Sequence, residues 1–487
     1  MFKMAATVNG KRKASEMNGS ANELPDFKTK KGNDGGRRSS IRDLRLPFPE
    51  PLTKYAHLLS CGQNEVGQLG FNDDIAEKTR PTLVINSSDA KVVEISAGGM
   101  HSLFLTLNGE VWSFGCNDEG ALGRDTSEEG SEYKAQQVNL PGECVRITAG
   151  DSHSAFLLKD GRAFACGSFR DSHGTMGLNI KGKQQFPVEV VPDEEFVDIK
   201  SGADHLVLLS QRGKVYTVGC AEQGQLGRVT NRSSSGETRR GKTQLLQPGL
   251  LLTTRFNFVD AIWTTTYCTF VRNRANGAIF AFGLNNYSQL GVNKKNSETI
   301  FTPQLTSFEN VKLITGGQHH TLVLTNDDKC FAIGRKDYGR LGLGNVAGET
   351  VDTLTPIKAL ENLNIVQLEC GECCSFAVTD TGKAYSWGMG SNQQLGCGSD
   401  EDQNEPVLLT GAQVRDRKVI RISSGGQHTL FLAADIEPVT TNGVKDANKP
   451  MATTNGVKKK EAKTANGHCH TIGEEMIGEV SSTNGVE

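Results

Sequence analysis

A glycine-rich motif that recurs seven times limits what this 487-residue chain can fold into. Typical copies read CGQNEVGQLG at 61–70, FGCNDEGALG at 114–123 and GCAEQGQLG at 219–227. The residue before the last Gly is Leu in six copies and Met in one, at positions 69, 122, 176, 226, 290, 341 and 395, with steps of 50 to 64 residues. Self-similarity at such a period predicts one large array of similar units.

A second motif keeps the same period. Its seven copies are GGMHS at 98–102, GDSHS at 150–154, GADHL at 202–206, TTTYC at 264–268, GGQHH at 316–320, GECCS at 371–375 and GGQHT at 425–429. A whole unit, residues 91–123, reads as strand, glycine turn, strand, hairpin turn, strand and glycine-rich loop. Asn108-Gly109 marks the hairpin, because a two-residue turn requires positive φ. Asp327-Asp328 is the weak copy of this turn.

Seven all-β units predict a seven-bladed β-propeller, an all-β fold of four-stranded antiparallel blades. The 55 Gly residues and the aromatic content of 6% suit many short strands and tight turns. The first copy starts midway, at HLLSCG (57–62), and the last stops midway, at HTLFLAAD (428–435). We expect these two segments to pair in one blade, which closes the ring and protects both strand edges.

Composition divides the chain into three parts. Residues 1–50 are polar with a net charge of +5, and we expect a disordered basic tail. Residues 51–435 hold the repeats, and residues 436–487 repeat TTNGVK, which predicts a disordered low-complexity tail. The whole chain carries −3 and residues 436–487 carry −1, which leaves −7 for the repeats. A basic arm on an acidic body suggests that the arm meets nucleic acid or a transport receptor.

Several function classes are disfavoured. No apolar run approaches the roughly 18 residues that a membrane span needs, and no secretory signal is predicted. The twelve Cys residues are scattered, which favours small buried side chains in a reducing compartment. Cys370, Cys373 and Cys374 have no second pair at metal-site spacing, so we expect no metal site. Without a P-loop, nucleophile elbow or acid–base pair, we expect neither covalent catalysis nor a cofactor.

The second motif and the glycine-rich loops share one face, because successive strands run antiparallel, and the hairpins lie on the other face. On the shared face two copies carry Tyr267 and Cys374, and the other five carry His101, His153, His205, His319 and His428. Each His is either a structural side chain bonded to the next blade or part of a binding surface.

The third glycine-rich loop departs from the pattern. In CGSFRDSHGTMGL at 166–178 the step from Gly167 to Gly174 is seven residues, against five in the copies quoted above. Next to it, Asp151 and Asp204 stand where other copies carry different residues. An Asp can simply cap a turn. Two carboxylates beside the lengthened loop nevertheless favour a site for a partner.

These segments resemble a known family. GGMHS, CNDEGALGRDTS (116–127), GSFRD (167–171), GCAEQGQLGR (219–228), GGQHHT (316–321) and SGGQHT (424–429) are similar to the regulator-of-chromosome-condensation family, the guanine-nucleotide exchange factors of the Ran GTPase. The resemblance covers about 51–435. The glycine repeat is moderately specific, because other scaffolds carry it, whereas the lengthened third loop is far more specific.

The resemblance implies a role for the lengthened loop. In that family it is a β-wedge that presses against the GTPase near its nucleotide. Here it implies that SFRDSHGTMG projects from the face, with Phe169, Arg170 and Asp171 forming an apolar and charged tip. The other residues of this wedge loop are Ser168, Ser172, His173, Gly174, Thr175, Met176 and Gly177.

The resemblance also implies contact residues outside the wedge loop. Asp151 and Asp204 correspond to acidic residues at the GTPase contact. The remaining matches are His101, His319, His428, Arg228 and Glu65, the last at a position where the family often has Asp. Such a factor binds the nucleotide-free GTPase more tightly than the loaded form. Linkage then weakens nucleotide binding by the same factor, without covalent chemistry.

A basic segment, RVTNRSSSGETRRGKT at 228–243, lies inside the longest repeat step. It is either a solvated surface loop or, as the resemblance implies, a loop that meets the acidic patch of the histone dimer on the nucleosome. Arg232, Arg239 and Arg240 are the candidates, because Arg binds carboxylates bidentately.

The basic arm predicts two further partners, DNA and a nuclear import receptor. The residues concerned are Lys11, Arg12, Lys13, Lys28, Lys30 and Lys31. A solubilising tail is the alternative. We thus expect a nuclear, chromatin-associated monomer without membrane contact.

The competing interpretation is a non-catalytic propeller scaffold for chromatin or ubiquitin-system partners. Such a scaffold would not need the SFRD sequence together with Asp151 and Asp204. The wedge loop therefore separates the two hypotheses.

Overall fold

A computed structural model describes residues 44–84, 89–234, 239–292 and 297–436. These residues form seven four-stranded antiparallel sheets and one two-stranded ribbon, arranged as a β-propeller. The predicted fold class is confirmed. The basic clusters at 11–13 and 28–31, and the tail beyond residue 436, lie outside the described residues.

The first half of the chain supplies β1 to β16. β1 (His57–Gln63) and β2 (Glu77–Leu83) come first. Blade 2 comprises β3 (Val92–Ala97), β4 (His101–Thr106), β5 (Val111–Gly115) and β6 (Gln136–Val138). Blade 3 comprises β7 (Cys144–Ala149), β8 (His153–Leu158), β9 (Ala163–Gly167) and β12 (Gln184–Glu189), with the ribbon strands β10 (Phe169–Asp171) and β11 (Gly174–Gly177) inserted before β12. Blade 4 comprises β13 (Phe196–Ser201), β14 (His205–Ser210), β15 (Val215–Gly219) and β16 (Gly249–Leu250).

The second half completes the ring. Blade 5 comprises β17 (Val259–Thr264), β18 (Cys268–Asn273), β19 (Ile279–Leu284) and β20 (Thr299–Leu305). Blade 6 comprises β21 (Val311–Gly316), β22 (His320–Thr325), β23 (Cys330–Arg335) and β24 (Thr350–Pro356). Blade 7 comprises β25 (Ile365–Cys370), β26 (Cys374–Thr379), β27 (Ala384–Gly388) and β28 (Gln403–Leu408). β29 (Arg417–Ser424) and β30 (His428–Asp435) then join β1 and β2 as blade 1.

Helices are short and lie between strands. They are α1 (Arg239–Leu246), α2 (Ala412–Arg415) and the 3-10 turns Ser131–Tyr133, Asn231–Ser233, Asp337–Gly339 and Lys358–Leu360. Within the described part of the chain, no helix has the length and apolar character to cross a membrane.

Blade 1 closes the ring by joining the two ends of the repeat region. Its strand order is β2-β1-β30-β29, so the start of the region supplies the two outer strands and its end supplies the two inner ones. β1 and β30 run antiparallel, with His57 opposite Ala433 and Gly62 opposite His428. The predicted pairing of the first and last segments is confirmed.

The hairpin turns follow the sequence signals. Gly109 adopts a φ of 78°, and in the weak copy Asp328 adopts the same left-handed conformation with a φ of 58°. Asp is one of the few residues that tolerate this conformation, which explains how Asp327-Asp328 replaces a glycine turn.

The innermost strand of each blade, which is β29 in blade 1, lines an axial cavity of about 260 Å³. Side chains join neighbouring blades here. Arg421 Nη1 lies 2.9 Å from Glu94 Oε1, and Glu94 Oε2 accepts a hydrogen bond from the Ile147 backbone N–H at 3.1 Å. Glu94 thus connects blades 1, 2 and 3 at the inner wall.

In every blade but blade 5, the strand next to the innermost one begins with a side chain that bonds to the next blade. His101 Nε2 lies 2.9 Å from Ser154 Oγ, and His428 Nε2 lies 2.8 Å from Ser102 Oγ. Ser154 Oγ donates its own proton to the Ala121 carbonyl at 2.7 Å. Because that hydroxyl has only one proton, it must accept from Nε2–H, which fixes the neutral His tautomer. His101 and His428 therefore have the structural role considered from the sequence, in which each ring bonds to the next blade.

The same contact explains why glycine stands three residues before the His. A Cβ at Gly98 would lie 2.3 Å from Cε1 of His101, since the imidazole folds directly over that backbone. The G-x-x-H pattern is therefore a steric requirement of the bond between blades.

The motif alignment was wrong by one residue in blades 5 and 6. The strand-start residues are Cys268 and His320, and not Tyr267 and His319. His320 is buried and its Nε2 lies 3.0 Å from Ser375 Oγ, in the same role as His101. The doubled His in GGQHH and the missing His in TTTYC concealed this register.

An extended segment before β1 crosses the hairpin face. Leu46 is buried and its N–H donates to the Gln211 carbonyl of blade 4 at 2.7 Å. Phe48 lies against Gly161 of blade 3, and Leu52 packs against the core between blades 2 and 3. The boundary predicted at residue 50 is therefore too late, because these apolar side chains already belong to the propeller. We call residues 44–56 the strap.

Candidate functional site

The lengthened third loop forms a β-ribbon on the face that carries the glycine turns. β10 and β11 pair antiparallel, with Arg170 opposite Thr175 and Asp171 opposite Gly174. Ser172 and His173 form its tip and are exposed. Ser168 Oγ accepts a hydrogen bond from the Gly177 N–H at 3.0 Å, which closes the base of the ribbon.

Phe169 is an anchor and not part of the tip. Its side chain is fully buried, and its ring lies 4.7 Å from the ring of His153 in an edge-to-face arrangement. Met176 is also buried. Because neighbouring side chains of a strand point to opposite faces, burying Phe169 exposes Arg170. The exposed part of the ribbon is thus polar and charged, and the predicted apolar tip is wrong.

Carboxylates from three neighbouring segments hold the ribbon. Asp204 Oδ1, from the turn of blade 4, accepts the Arg170 backbone N–H at 2.7 Å. Glu119, from the glycine-rich loop of blade 2, lies 2.5 Å from Thr175 Oγ1. Glu222, from the corresponding loop of blade 4, accepts the Ser172 N–H at 3.0 Å and the Ser172 hydroxyl at 2.6 Å. The ribbon is therefore fixed on both sides by acidic side chains.

Three half-buried carboxylates influence one another on this face. Burial and the Asp151 charge raise the pKa of Asp204 to about 7. Burial raises the pKa of Asp151 to about 6, and Arg170 opposes this. Glu372, whose Oε2 accepts from Gln318 Nε2 at 2.6 Å, has its pKa raised to about 7 by burial and then by Asp151. Such groups favour a partner that brings positive charge or N–H donors.

Glu372 was missed by the sequence reasoning. It stands second in GECCS, where Asp151 stands second in GDSHS. Superposing the repeats by strand start would have identified it, because both residues lie two positions before their strand-start residue. Asp204 lies one position before that residue, as do Tyr267 and His319.

The predicted His contacts occupy two kinds of position. His101 and His428 are buried between blades, and burial lowers their pKa to about 4 and about 3 respectively. His319 is half-exposed beside Tyr287, at a ring distance of 5.2 Å. Arg335 lies over the same Tyr287 ring at 5.0 Å. The face therefore has an aromatic and basic region on blades 5 and 6, apart from the acidic ribbon.

Two further candidates differ in exposure. Glu65 is exposed at the glycine-rich loop of blade 1, where its backbone carbonyl accepts from Tyr133 Oη at 3.0 Å. Arg228 is engaged within blade 4, where its guanidinium donates to the carbonyls of Thr217 at 2.9 Å and Gln244 at 2.9 Å. Burial lowers the pKa of Arg228 to about 10. Its guanidinium thus holds the insertion that follows it.

The basic segment is only partly described. Arg232 is exposed in the 3-10 turn Asn231–Ser233. Arg239 and Arg240 begin α1, and their side chains lie outside the described residues. Of the cysteines considered for zinc, Cys374 Sγ lies 3.5 Å from Ser424 Oγ, which is the bond between blades at that position.

Comparison with known proteins gives consistent results. The family model described as RCC1-like domain matches residues 57–431. The regulator of chromosome condensation of Drosophila melanogaster is 50% identical over 422 residues, which cover 87% of this chain and 75% of the relative. The guanine nucleotide exchange factor SRM1 of Saccharomyces cerevisiae is 27% identical and covers 75% of this chain and 83% of its own length.

One solved structure combines the same fold with known binding properties. It is Prp20p from Saccharomyces cerevisiae, in a study of its binding to Gsp1p and histones. It superposes with a TM-score of 0.72 at 26% identity, and covers 79% of this chain and 93% of that one.

Proposed function

This chain belongs to the RCC1-like domain family, and from that premise we propose that it is a guanine-nucleotide exchange factor for the Ran GTPase. Its relatives include a protein named as a guanine nucleotide exchange factor and a protein studied for binding to Gsp1p. The observation that carries the proposal is the polar ribbon held on both sides by carboxylates. That ribbon is a preformed surface, so a partner would not have to order it on binding.

The acidic face suggests how exchange proceeds. A small GTPase holds its nucleotide through backbone N–H groups, a Lys and Mg²⁺ around the phosphates. Asp151, Asp204 and the ribbon residue Asp171 would offer an alternative partner to such positive groups. Binding that is tighter to the nucleotide-free form weakens nucleotide affinity by the same factor. Each tenfold weakening corresponds to about 1.4 kcal/mol of coupling.

The exposed ribbon residues Arg170, Ser172, His173 and Thr175 would make the direct contacts, with the mostly covered Asp171 beside them. Phe169 and Met176 would act by holding the ribbon, since both are buried. His319 and Glu65 would contact the GTPase from other blades. His101, His428 and Arg228 would support the face from within, because their polar atoms bond to neighbouring segments.

The test is the release of fluorescent GDP from purified Ran, alone and with catalytic amounts of this protein. We expect strong acceleration by the wild type and a loss of about tenfold or more in Asp204→Ala. Glu143→Ala is the matched control. It removes one carboxylate from the hairpin face, where Glu143 pairs with Lys159 at 2.7 Å. Absence of acceleration by the folded wild type would overturn the proposal and favour the non-catalytic scaffold.

We propose nucleosome binding as a second activity, through Arg232, Arg239 and Arg240. The supporting observations are the exposure of Arg232 and the histone binding studied for Prp20p. The arm residues at 11–13 and 28–31 would add phosphate contacts and bind an import receptor, which would make the protein nuclear and chromatin-associated.

Nucleosome binding is tested by electrophoretic mobility shift at two salt concentrations. Arg232→Ala should weaken binding to nucleosomes and leave GDP release unchanged. A truncated variant without residues 1–43 should show a weaker dependence of affinity on salt, because it makes fewer phosphate contacts. Equal affinity of the wild type and both variants would reject the assignment.

A further inference from the structure

One group of metal-binding side chains in the described residues joins the ribbon to blade 4. Asp171, His173 and Glu222 each place a ligand atom within 4.8 Å of the others. His173 Nδ1 lies 3.9 Å from Asp171 Oδ1 and 4.0 Å from Glu222 Oε1. Asp171 and His173 come from the ribbon, whereas Glu222 comes from the glycine-rich loop of the next blade.

Backbone contacts fix the ligands before any ion arrives. Asp171 Oδ1 accepts the His173 N–H at 2.9 Å, which fixes the tip of the ribbon. Glu222 accepts both the N–H and the hydroxyl of Ser172. The carboxylate side chains are mostly covered, with 15% of Asp171 and 22% of Glu222 exposed, whereas 68% of the His173 side chain is exposed. Two ligands are thus held, and the His173 imidazole, whose Nδ1 lies 3.2 Å from Ser172 Oγ, has to give up that hydrogen bond to turn toward them.

The movement that a metal would require is small. Ligand atoms around a tetrahedral Zn²⁺ at bond lengths of about 2.0–2.1 Å lie roughly 3.3 Å apart. The His173 nitrogen therefore has to approach each of these two oxygens by about 0.6–0.7 Å, and the Asp171 and Glu222 oxygens, which lie within 4.8 Å of each other, have to close to about the same separation.

The surrounding charge also favours a cation. Glu119 lies on the other side of the ribbon, and Asp204 binds its backbone. The neighbouring ribbon residue Arg170 is paired with Glu119, with its Nη1 3.6 Å from Oε1. Among the described ion pairs, the basic group that contacts Asp171 and Glu222 is the proposed ligand His173 itself.

The ligand set selects the kind of ion. One imidazole and two carboxylates suit borderline divalent metals such as Zn²⁺, whereas Mg²⁺ prefers oxygen ligands and retains its waters. Three protein ligands leave one coordination position open. We propose that Asp171, His173 and Glu222 form a Zn²⁺-class cation site that fastens the tip of the blade 3 ribbon to blade 4.

The consequence is a ribbon whose rigidity depends on the metal. Without the ion, the hydrogen bonds that hold the described tip residues to blade 4 come from Ser172. With it, two ribbon side chains become bonded to Glu222. Metal binding needs only residues of this chain, although Asp171 and His173 also belong to the surface proposed to contact the GTPase.

Isothermal titration of the full chain with Zn²⁺, after removal of metal by a chelator, tests the site. We expect one ion bound with micromolar affinity or tighter, and no competition from millimolar Mg²⁺. His173→Asn and Glu222→Gln should each weaken the affinity at least about tenfold. His57→Asn is the control, because His57 is paired with Asp435 at 3.0 Å without a third ligand, and it should bind Zn²⁺ as the wild type does.

A second measurement reports on the ribbon itself. Zn²⁺ should slow amide hydrogen exchange in residues 168–177 of the wild type and leave it unchanged in His173→Asn. Absence of binding to the wild type overturns the proposal, and so does equal affinity in the wild type and both ligand variants. A wild type that binds Zn²⁺ but does not accelerate GDP release would overturn the exchange proposal and leave this one standing.

Discussion

The backbone N–H of Arg170 donates to the Asp204 carboxylate at 2.7 Å, and this bond joins the ribbon of blade 3 to the turn of blade 4. Burial and Asp151 together raise the pKa of Asp204 to about 7, so the same carboxylate that holds the ribbon is costly to ionise. Ionisation of Asp204 therefore lowers the stability of the free protein.

Asp204→Asn separates the charge of this residue from its hydrogen bond, since the Asn oxygen can still accept the Arg170 N–H. The folded pKa of about 7 lies above the unfolded value of about 3.9, so the carboxyl group costs stability progressively as the pH rises from about 4 to 7, and this loss is complete above pH 7. We expect the variant to be more stable than the wild type by about 1–2 kcal/mol at pH 8, after allowance for partial exposure. Urea unfolding measures this. A gain as large at pH 5 as at pH 8 would contradict the assignment.

His101→Ala removes the bond between blades 2 and 3. We expect a loss of about 2–3 kcal/mol at pH 7, because a packed side chain is deleted and Ser154 loses its donor. His173→Ala at the exposed tip of the ribbon should change stability by less than about 0.5 kcal/mol. Thermal unfolding of both variants under one condition provides the comparison, and equal losses would argue against a structural role for His101.

The cost of His101→Ala should also depend on pH. Burial lowers the pKa of His101 to about 4, below the unfolded value of about 6.5. The unfolded chain therefore binds a proton that the native state does not, and the contribution of His101 to stability is lost as the pH falls from 6.5 toward 4. The difference between wild type and variant should thus be smaller at pH 5 than at pH 7.5. Urea unfolding at these two pH values checks the prediction, which an unchanged difference would reject.

Phe169 should support activity by holding the ribbon and not by direct contact. Phe169→Ala leaves a cavity under His153 and is expected to cost about 3–5 kcal/mol of stability, and with it much of the exchange rate. Phe169→Leu, which keeps most of the volume, should retain exchange within a few-fold. Circular dichroism and GDP release on the same samples measure both effects. Loss of exchange in Phe169→Leu at unchanged stability would instead indicate that the ring touches the partner.

The strap predicts different outcomes for two truncations. Removal of residues 1–43 leaves Leu46 and Phe48 in place, so the melting temperature should not change. Removal of residues 1–50 exposes the surface that these side chains cover, and we expect a loss of about 2–4 kcal/mol. Differential scanning calorimetry distinguishes the two, and equal melting temperatures would show that the strap contributes nothing to stability.

Much of this fold was readable from the sequence because its physical causes are local. The period of the glycine motifs, the Asn108-Gly109 turn and the incomplete first and last copies predicted seven blades and their closure. These signals depend on backbone conformations that few residues tolerate. The alternation of side chains along β10 also allowed Phe169 to be predicted as buried opposite Arg170. The resemblance to the family's wedge instead led to its assignment to the tip.

Contacts between segments that are distant in the sequence could not be predicted from the sequence. Nothing in GCAEQGQLG indicates that Glu222 receives the N–H of Ser172, which stands 50 residues earlier. The pKa of Asp204 depends in the same way on Asp151, in a neighbouring blade. The register of blade 6 failed for another reason, since His319 and His320 are adjacent and only packing shows which one enters the seam between blades.

The closure of blade 1 has a consequence for how the protein is made. During synthesis β1 emerges first, yet its partner β30 is the last strand of the ring, 365 residues later at the closest. In every shorter nascent chain, β1 and β2 can pair with each other, but the other edge of β1 has no partner strand while the remaining blades form. Completion of the ring must wait for Asp435 to leave the ribosome, so until then that early strand edge remains available for pairing with another molecule.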